Sequence, residues 1–170
     1  MSNNLRLVKE YTTSVATNTL TYTDLFSSDY DVHQVIMTGD GVSGEAGGHL
    51  RVVNSSGGVL RTSTYNWAMR YMKGNAGDGD LQSNGATDWA NCGGNYSTNG
   101  GTWVWYIFNA MDADKYTYFV GYGTTENSSD VRAYRIGGCF TSKETITGLS
   151  LAMDQTMTGT IRSYGLRVDT

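Results

Sequence analysis

Proline is absent from this 170-residue chain, cysteine and histidine occur twice each, and charged residues make up only 16%. Each shortage excludes something. Without proline there is no polyproline linker, and no strand is barred from donating to a ladder. Two cysteines, Cys92 and Cys139, cannot make the disulfide framework of a small secreted domain, and neither has a Cys or His neighbour at metal spacing. Both are expected as reduced thiols, with a disulfide between them as the alternative if the strands bring them together. His33 and His49 each open a predicted strand and lack a third ligand, so no zinc site is expected. The net charge is −4, with Lys and Arg scattered, so the basic patch of a nucleic-acid binder is missing. No apolar run approaches the ~20 residues that span a bilayer, and the start, Met1-Ser2-Asn3-Asn4, is not a secretory leader. The expectation is a soluble protein synthesised in a cytoplasm, with no membrane insertion and no nucleic-acid partner.

What is abundant is glycine, 22 residues, with 12 tyrosines and four tryptophans. Thr, Ser and Asn carry much of the polar surface. The most apolar stretch is Thr102-Trp103-Val104-Trp105-Tyr106-Ile107-Phe108-Asn109. Its aromatic and β-branched residues suit a strand. With period two, Trp103, Trp105 and Ile107 share one face and Val104, Tyr106 and Phe108 the other. A strand wetted on one side alternates apolar and polar, and this one does not. One face therefore belongs to a core. The other is expected to be covered by a loop, a second chain, or a ligand stacked on an aromatic ring.

The rest of the chain reads as further short strands. Residues 5–22 form an N-terminal arm, with a turn at Thr17-Asn18-Thr19. Strands follow at 33–38, 49–53 and 59–62, the last two forming a hairpin around the Asn54–Gly58 turn. Tyr65, Trp67, Met69 and Tyr71 alternate with Asn66, Ala68, Arg70 and Met72, which makes 65–73 a strand. Residues 74–87 read as a long polar loop, in which Asp78, Asp80 and Asn84 carry oxygens but lack the spacing of a helix–loop–helix calcium site. Short strands are expected at 88–92 and 115–122. Another is expected at 131–140, with a bulge at Gly137-Gly138, and two more at 146–153 and 158–168. The Gly39-Asp40-Gly41-Val42-Ser43-Gly44 run matches a dinucleotide-loop pattern but opens no helix, so it is a turn. The sum is an all-β fold: an antiparallel β-sandwich of jelly-roll type with nine to eleven short strands. The domain reading is an arm over 1–22 and a single sandwich domain over 23–170.

No arrangement in the sequence points to catalysis. There is no nucleophile elbow or phosphate loop, and the carboxylates fall almost entirely in predicted loops. No catalytic residue, cofactor or metal ligand is assigned, and the protein is expected not to be an enzyme. Binding or assembly remains. Trp67, Trp89, Trp103, Trp105 and Tyr106 are the candidates for a subunit interface or for glycan stacking, because large amphipathic rings suit both.

The segment Ser27-Ser28-Asp29-Tyr30-Asp31-Val32-His33-Gln34-Val35-Ile36 resembles the strand-opening segment of a group of phage structural proteins. So do Asn54-Ser55-Ser56-Gly57 and Ser63-Thr64-Tyr65-Asn66-Trp67-Ala68, and the closing run from Gly159 to Asp169. The group comprises jelly-roll virion proteins of tailed cyanobacterial and marine phages, fibre-like or capsid-decorating. The resemblance implies a virion structural protein on the particle exterior, either a capsid decoration or a short tail-fibre component. It would act through assembly, as a homotrimer and against other virion proteins, and in host attachment. Longer members carry an anchoring region before this module, whereas here about twenty residues precede the loop at Asp24. A small docked accessory fits that better than a complete fibre. The alternative is a carbohydrate-binding module that reads host surface glycans.

Overall fold

The computed structural model describes residues 4–41, 47–74, 77–92, 100–127 and 130–166. They contain ten strands and no helix: β1 (Leu5–Tyr22), β2 (Val32–Gly41), β3 (Gly48–Asn54), β4 (Tyr65–Lys73), β5 (Asp78–Ala86), β6 (Trp89–Ala90), β7 (Gly101–Phe108), β8 (Thr117–Asn127), β9 (Asp130–Phe140) and β10 (Ile146–Leu166). Every pairing is antiparallel, in the order β5-β4-β9-β8-β7-β2-β10-β3-β6, with β1 alongside β10. The expected all-β architecture is what the chain adopts.

The two longest strands organise the two layers. Residues 157–166 of β10 pair with β2, and residues 146–153 pair with β3. β1 follows β10 along both halves, from Leu5 opposite Leu166 to Tyr22 opposite Leu149. Its register shifts between Thr13 and Thr19, where the ribbon passes from one layer to the other. The Thr17-Asn18-Thr19 segment is therefore an irregularity within one strand, not the turn of a hairpin. The two strands expected at 146–153 and 158–168 are likewise one. The larger layer is β1-β10-β2-β7-β8-β9-β4-β5 and the smaller is β1-β10-β3-β6. The sheet curls until β6 lies against β4, so the sandwich is nearly closed into a barrel.

The core lies between the layers. Trp103, Trp105 and Ile107 of β7 are buried, with Val35 and Met37 from β2 on one side and Phe119 from β8 on the other. Two glycines make room for the indoles. Gly123 lies opposite Trp103 and Gly121 opposite Trp105. A Cβ at Gly123 would sit 2.3 Å from the Trp103 ring, and one at Gly121 would sit 2.5 Å from the Trp105 ring. Trp89 of β6 closes the other end of the core, 4.2 Å centroid to centroid from Phe119 and edge-on to Tyr65. The Tyr65 hydroxyl donates to the Leu60 carbonyl at 2.8 Å and accepts from the Val52 amide at 3.1 Å. One buried ring thus fixes the turn between β3 and β4.

Other expectations change. Residues 78–86 are a strand: β5 pairs with β4 from Tyr65 opposite Ala86 to Met72 opposite Asp78. Beyond the 54–58 turn only one bridge forms, Val53 to Val59, so 59–62 is not a full hairpin strand. Gly137 and Gly138 sit in regular register on both sides. They are not a bulge: a Cβ at Gly138 would meet the Phe119 ring at 2.5 Å and the Asn66 carbonyl at 2.6 Å. β8 continues to Asn127, well past the expected turn at Gly123. The glycine-rich run after Gly41, residues 42–46, lies outside the described residues.

Candidate functional site

Strand alternation sends one set of side chains from the large layer inward and the other outward. Register aligns the outward set into rows. Leu166, Val32, Phe108, Tyr118 and Cys139 make one row across β10, β2, β7, β8 and β9. Tyr164, Gln34, Tyr106, Val120 and Gly137 make the next. Arg162, Ile36, Val104, Tyr122 and Arg135 make a third, and Thr160, Thr38, Thr102, Thr124 and Ala133 a fourth. The middle of this face is apolar and aromatic. Tyr118 and Tyr122 are each 46% exposed, while Val104, Tyr106 and Phe108 are half-buried by their neighbours in the sheet. The amide of Gln34 donates to the Tyr106 hydroxyl at 2.8 Å, fixing that ring across the β2–β7 pair.

The sequence candidates divide sharply. Trp67, Trp89, Trp103 and Trp105 all point inward, with exposures of 9%, 0%, 1% and 0%. In the chain as it stands none offers a ring to a sugar or to a second subunit, because each fills the space between the layers. Tyr106 does face outward. The aromatic surface is therefore built from tyrosines, and the tryptophans support it from beneath. On the second face of β7, no described loop covers Val104, Tyr106 or Phe108.

The face is charged at its flanks. At the β1 edge, Arg162 Nε donates to Glu10 at 2.8 Å. Towards β4 and β5, Arg70 pairs with Asp78, and its Nε lies 4.0 Å from Asp80. The hydrogen bond and charge of that pair hold the Asp78 carboxyl below the usual carboxylate range and raise the Arg70 guanidinium above its own. The carboxylates once read as loop oxygens therefore serve as counter-charges for an arginine on a hairpin. Arg135 stands directly opposite Arg70 on β9 and opposite Tyr122 on β8. Two open hollows of about 650 and 600 Å³ adjoin here and share Arg70 and Arg135.

Sequence reading did not assign Arg70, Arg135 or Tyr122 a role. Their outward parity was readable from the alternation of 65–73, 115–122 and 131–136, but not the register that sets them side by side.

A separate polar cluster occupies the small layer. Asp88, 8% exposed, accepts from Arg51 at 2.9 Å and lies 3.0 Å from His49 Nδ1. The carboxylate orients the ring, but among the described residues no hydrogen bond brings a nucleophile to it. His33 is fully buried on β2, where Nε2 accepts the Ser27 amide hydrogen at 3.0 Å and the ring packs against Phe26 and Tyr30. Burial pushes His33 down to about 4. Cys92 and Cys139 are free thiols, and burial raises Cys92 well above the ordinary thiol range. Among the described residues no three His, Cys, Asp or Glu side chains gather as a metal site, and no helix is long and apolar enough to cross a membrane.

Comparison with family models, with curated proteins and with solved structures returned no match.

Proposed function

We propose that this protein is a non-catalytic assembly component of a virion exterior, a capsid decoration or short tail-fibre part. In this reading copies of the chain associate as a trimer through the outward face of the large layer. The observation that carries it is the apolar centre of that face, Ile36, Val104, Tyr106, Phe108 and Tyr118, which no described segment covers. Five strands by four rows, at the usual strand and residue spacings, give a footprint of about 650 Å². That is near the roughly 800 Å² each partner contributes to a stable interface, with an apolar middle and a polar rim. The virion setting is supported by the resemblance of residues 27–36, 54–57, 63–68 and 159–169 to phage structural proteins. The jelly-roll winding belongs to the same proposal.

Two measurements test the reading. Sedimentation of the wild-type chain is expected to give three copies per particle, and Val104→Asp and Tyr106→Asp are expected to give folded monomers. Imaging of intact particles with labelled protein is expected to place it on the outer surface. A wild-type monomer at high concentration, with no label on particles, overturns the proposal.

A further inference from the structure

We infer that the two hollows around Arg135 form a binding site for an acidic saccharide, a uronic or sialic acid unit. The site lies at the β8-β9-β4-β5 end of the outward face and shares Val104 and Tyr122 with the surface proposed for assembly, so a saccharide and a second copy would compete there. Its shape comes from small side chains. Ala68 and Gly137 are register partners on β4 and β9, and Ala133 lies two rows on, so small side chains leave a hollow on each side of the Arg70–Arg135 row. Volumes of about 650 and 600 Å³ are within the range that holds one or two sugar rings.

The lining has two chemistries. One hollow is walled by Tyr122, Val104 and Met72, with the hydroxyls of Thr102 and Thr124 at its margin. An amphipathic sugar ring needs that combination: an apolar wall for its C–H face and polar groups for its edge. The other hollow adds Asp80 and Gln82 as further hydrogen-bonding groups.

Charge selects the acid. Arg70 is matched by Asp78 and Asp80. Arg135 has no hydrogen bond or ion pair to another described residue, yet it stands opposite Arg70 in the ladder. With Asp78 on Arg70, Arg135 is the guanidinium of this pair left without a counter-charge. A guanidinium fork binds a planar carboxylate through two parallel hydrogen bonds. A saccharide carboxylate on Arg135, with its ring against Tyr122, would satisfy both features at once. Arg70 and Arg135 are balanced in number by Asp78 and Asp80, so what favours an anion is the unpaired Arg135 fork at short range and not a net field.

The test is calorimetric titration of the full chain with 3′-sialyllactose and with trigalacturonate, beside lactose and a neutral galactose trisaccharide. At least one acid is expected to bind. Its neutral counterpart, and the acid against Arg135→Gln, are each expected to be weaker by about tenfold or more. Tyr122→Ala should weaken the acid comparably, while Arg162→Gln, at the far flank, should leave it unchanged. Both variant positions are exposed, and retained thermal unfolding confirms that the fold persists. Silence with both acids overturns the inference, as does equal binding of acid and neutral sugar, or an Arg162→Gln loss equal to that of Arg135→Gln. Because assembly would cover Val104 and Tyr122, the titration is repeated on the Tyr106→Asp monomer, whose substituted residue does not line either hollow; silence there overturns the saccharide site and leaves the assembly proposal, read by sedimentation, standing.

Discussion

His33 is a buried base whose protonation should weaken the fold across a mildly acidic window. In the native chain its ring is fully buried, and Nε2 is occupied by the Ser27 amide hydrogen. A proton arriving on that nitrogen would face the amide head-on and charge a ring enclosed by Phe26 and Tyr30. The native ring titrates near about 4, against 6.5 for an unhindered histidine. Between those two values the unfolded chain holds a proton that the native chain refuses. Stability is therefore greatest above pH 6.5 and falls as the pH drops towards 4. The gap corresponds to about 3 kcal/mol. Urea unfolding at a series of pH values measures it, with His33→Gln as the reference, because Gln can accept the Ser27 hydrogen but does not titrate. The wild type should lose about 3 kcal/mol more than the variant between neutral pH and pH 4. Parallel curves would refute the reasoning. So would proton NMR showing the His33 ring titrating near 6.5 in the folded wild type, a measurement that needs no variant.

Three further outcomes are expected. Gly123→Ala would drive a methyl group into the Trp103 ring, where the gap is 2.3 Å, and should cost about 1–3 kcal/mol in chemical denaturation; a neutral result would show that the indole has room to shift. Asp88→Ala strips the counter-charge from Arg51, whose side chain is only 13% exposed, and should cost about 3 kcal/mol, whereas a loss under about 1 kcal/mol would mean solvent reaches that guanidinium. Because all four indoles are enclosed, native tryptophan emission should be blue-shifted and resist acrylamide, and strong quenching would count against the inward placement of β6 and β7.

The β7 strand was legible because its aromatic alternation is strong, and the inward set, Trp103, Trp105 and Ile107, is the one the structure buries. β4 was legible for the same reason. β5 was not, because Asp-Gly-Asp-Leu-Gln-Ser-Asn-Gly-Ala carries little strand preference. It is held by pairing with β4 and by the Arg70–Asp78 contact, which are tertiary facts. The glycines misled in a similar way. Gly123 and Gly138 read as turn and bulge residues, yet they lie within strands as seats for aromatic rings. At the candidate site, the outward parity of Tyr106 was readable. The juxtaposition of Tyr122, Arg135 and Arg70 depends on the register of the β8–β9 hairpin and on its pairing with β4, distant in sequence, and could not be read from any one strand. The tryptophans, singled out for their size, are where size is most useful, in the core.

The shared ribbon of β1 and β10 has a consequence for how the molecule comes into being. Of the ten described strands β1 is made first, yet the one it pairs with is β10, made after all the others. It must wait, unpaired, through the synthesis of every strand between them. β2 and β3 likewise lie on either side of a strand that does not yet exist. Nucleation is therefore left to the local β7-β8-β9 meander, and closing the longest loop comes late, so slow folding is expected. A chain stalled before Ile146 would expose several strand edges together, the state in which such proteins most readily meet the wrong neighbour.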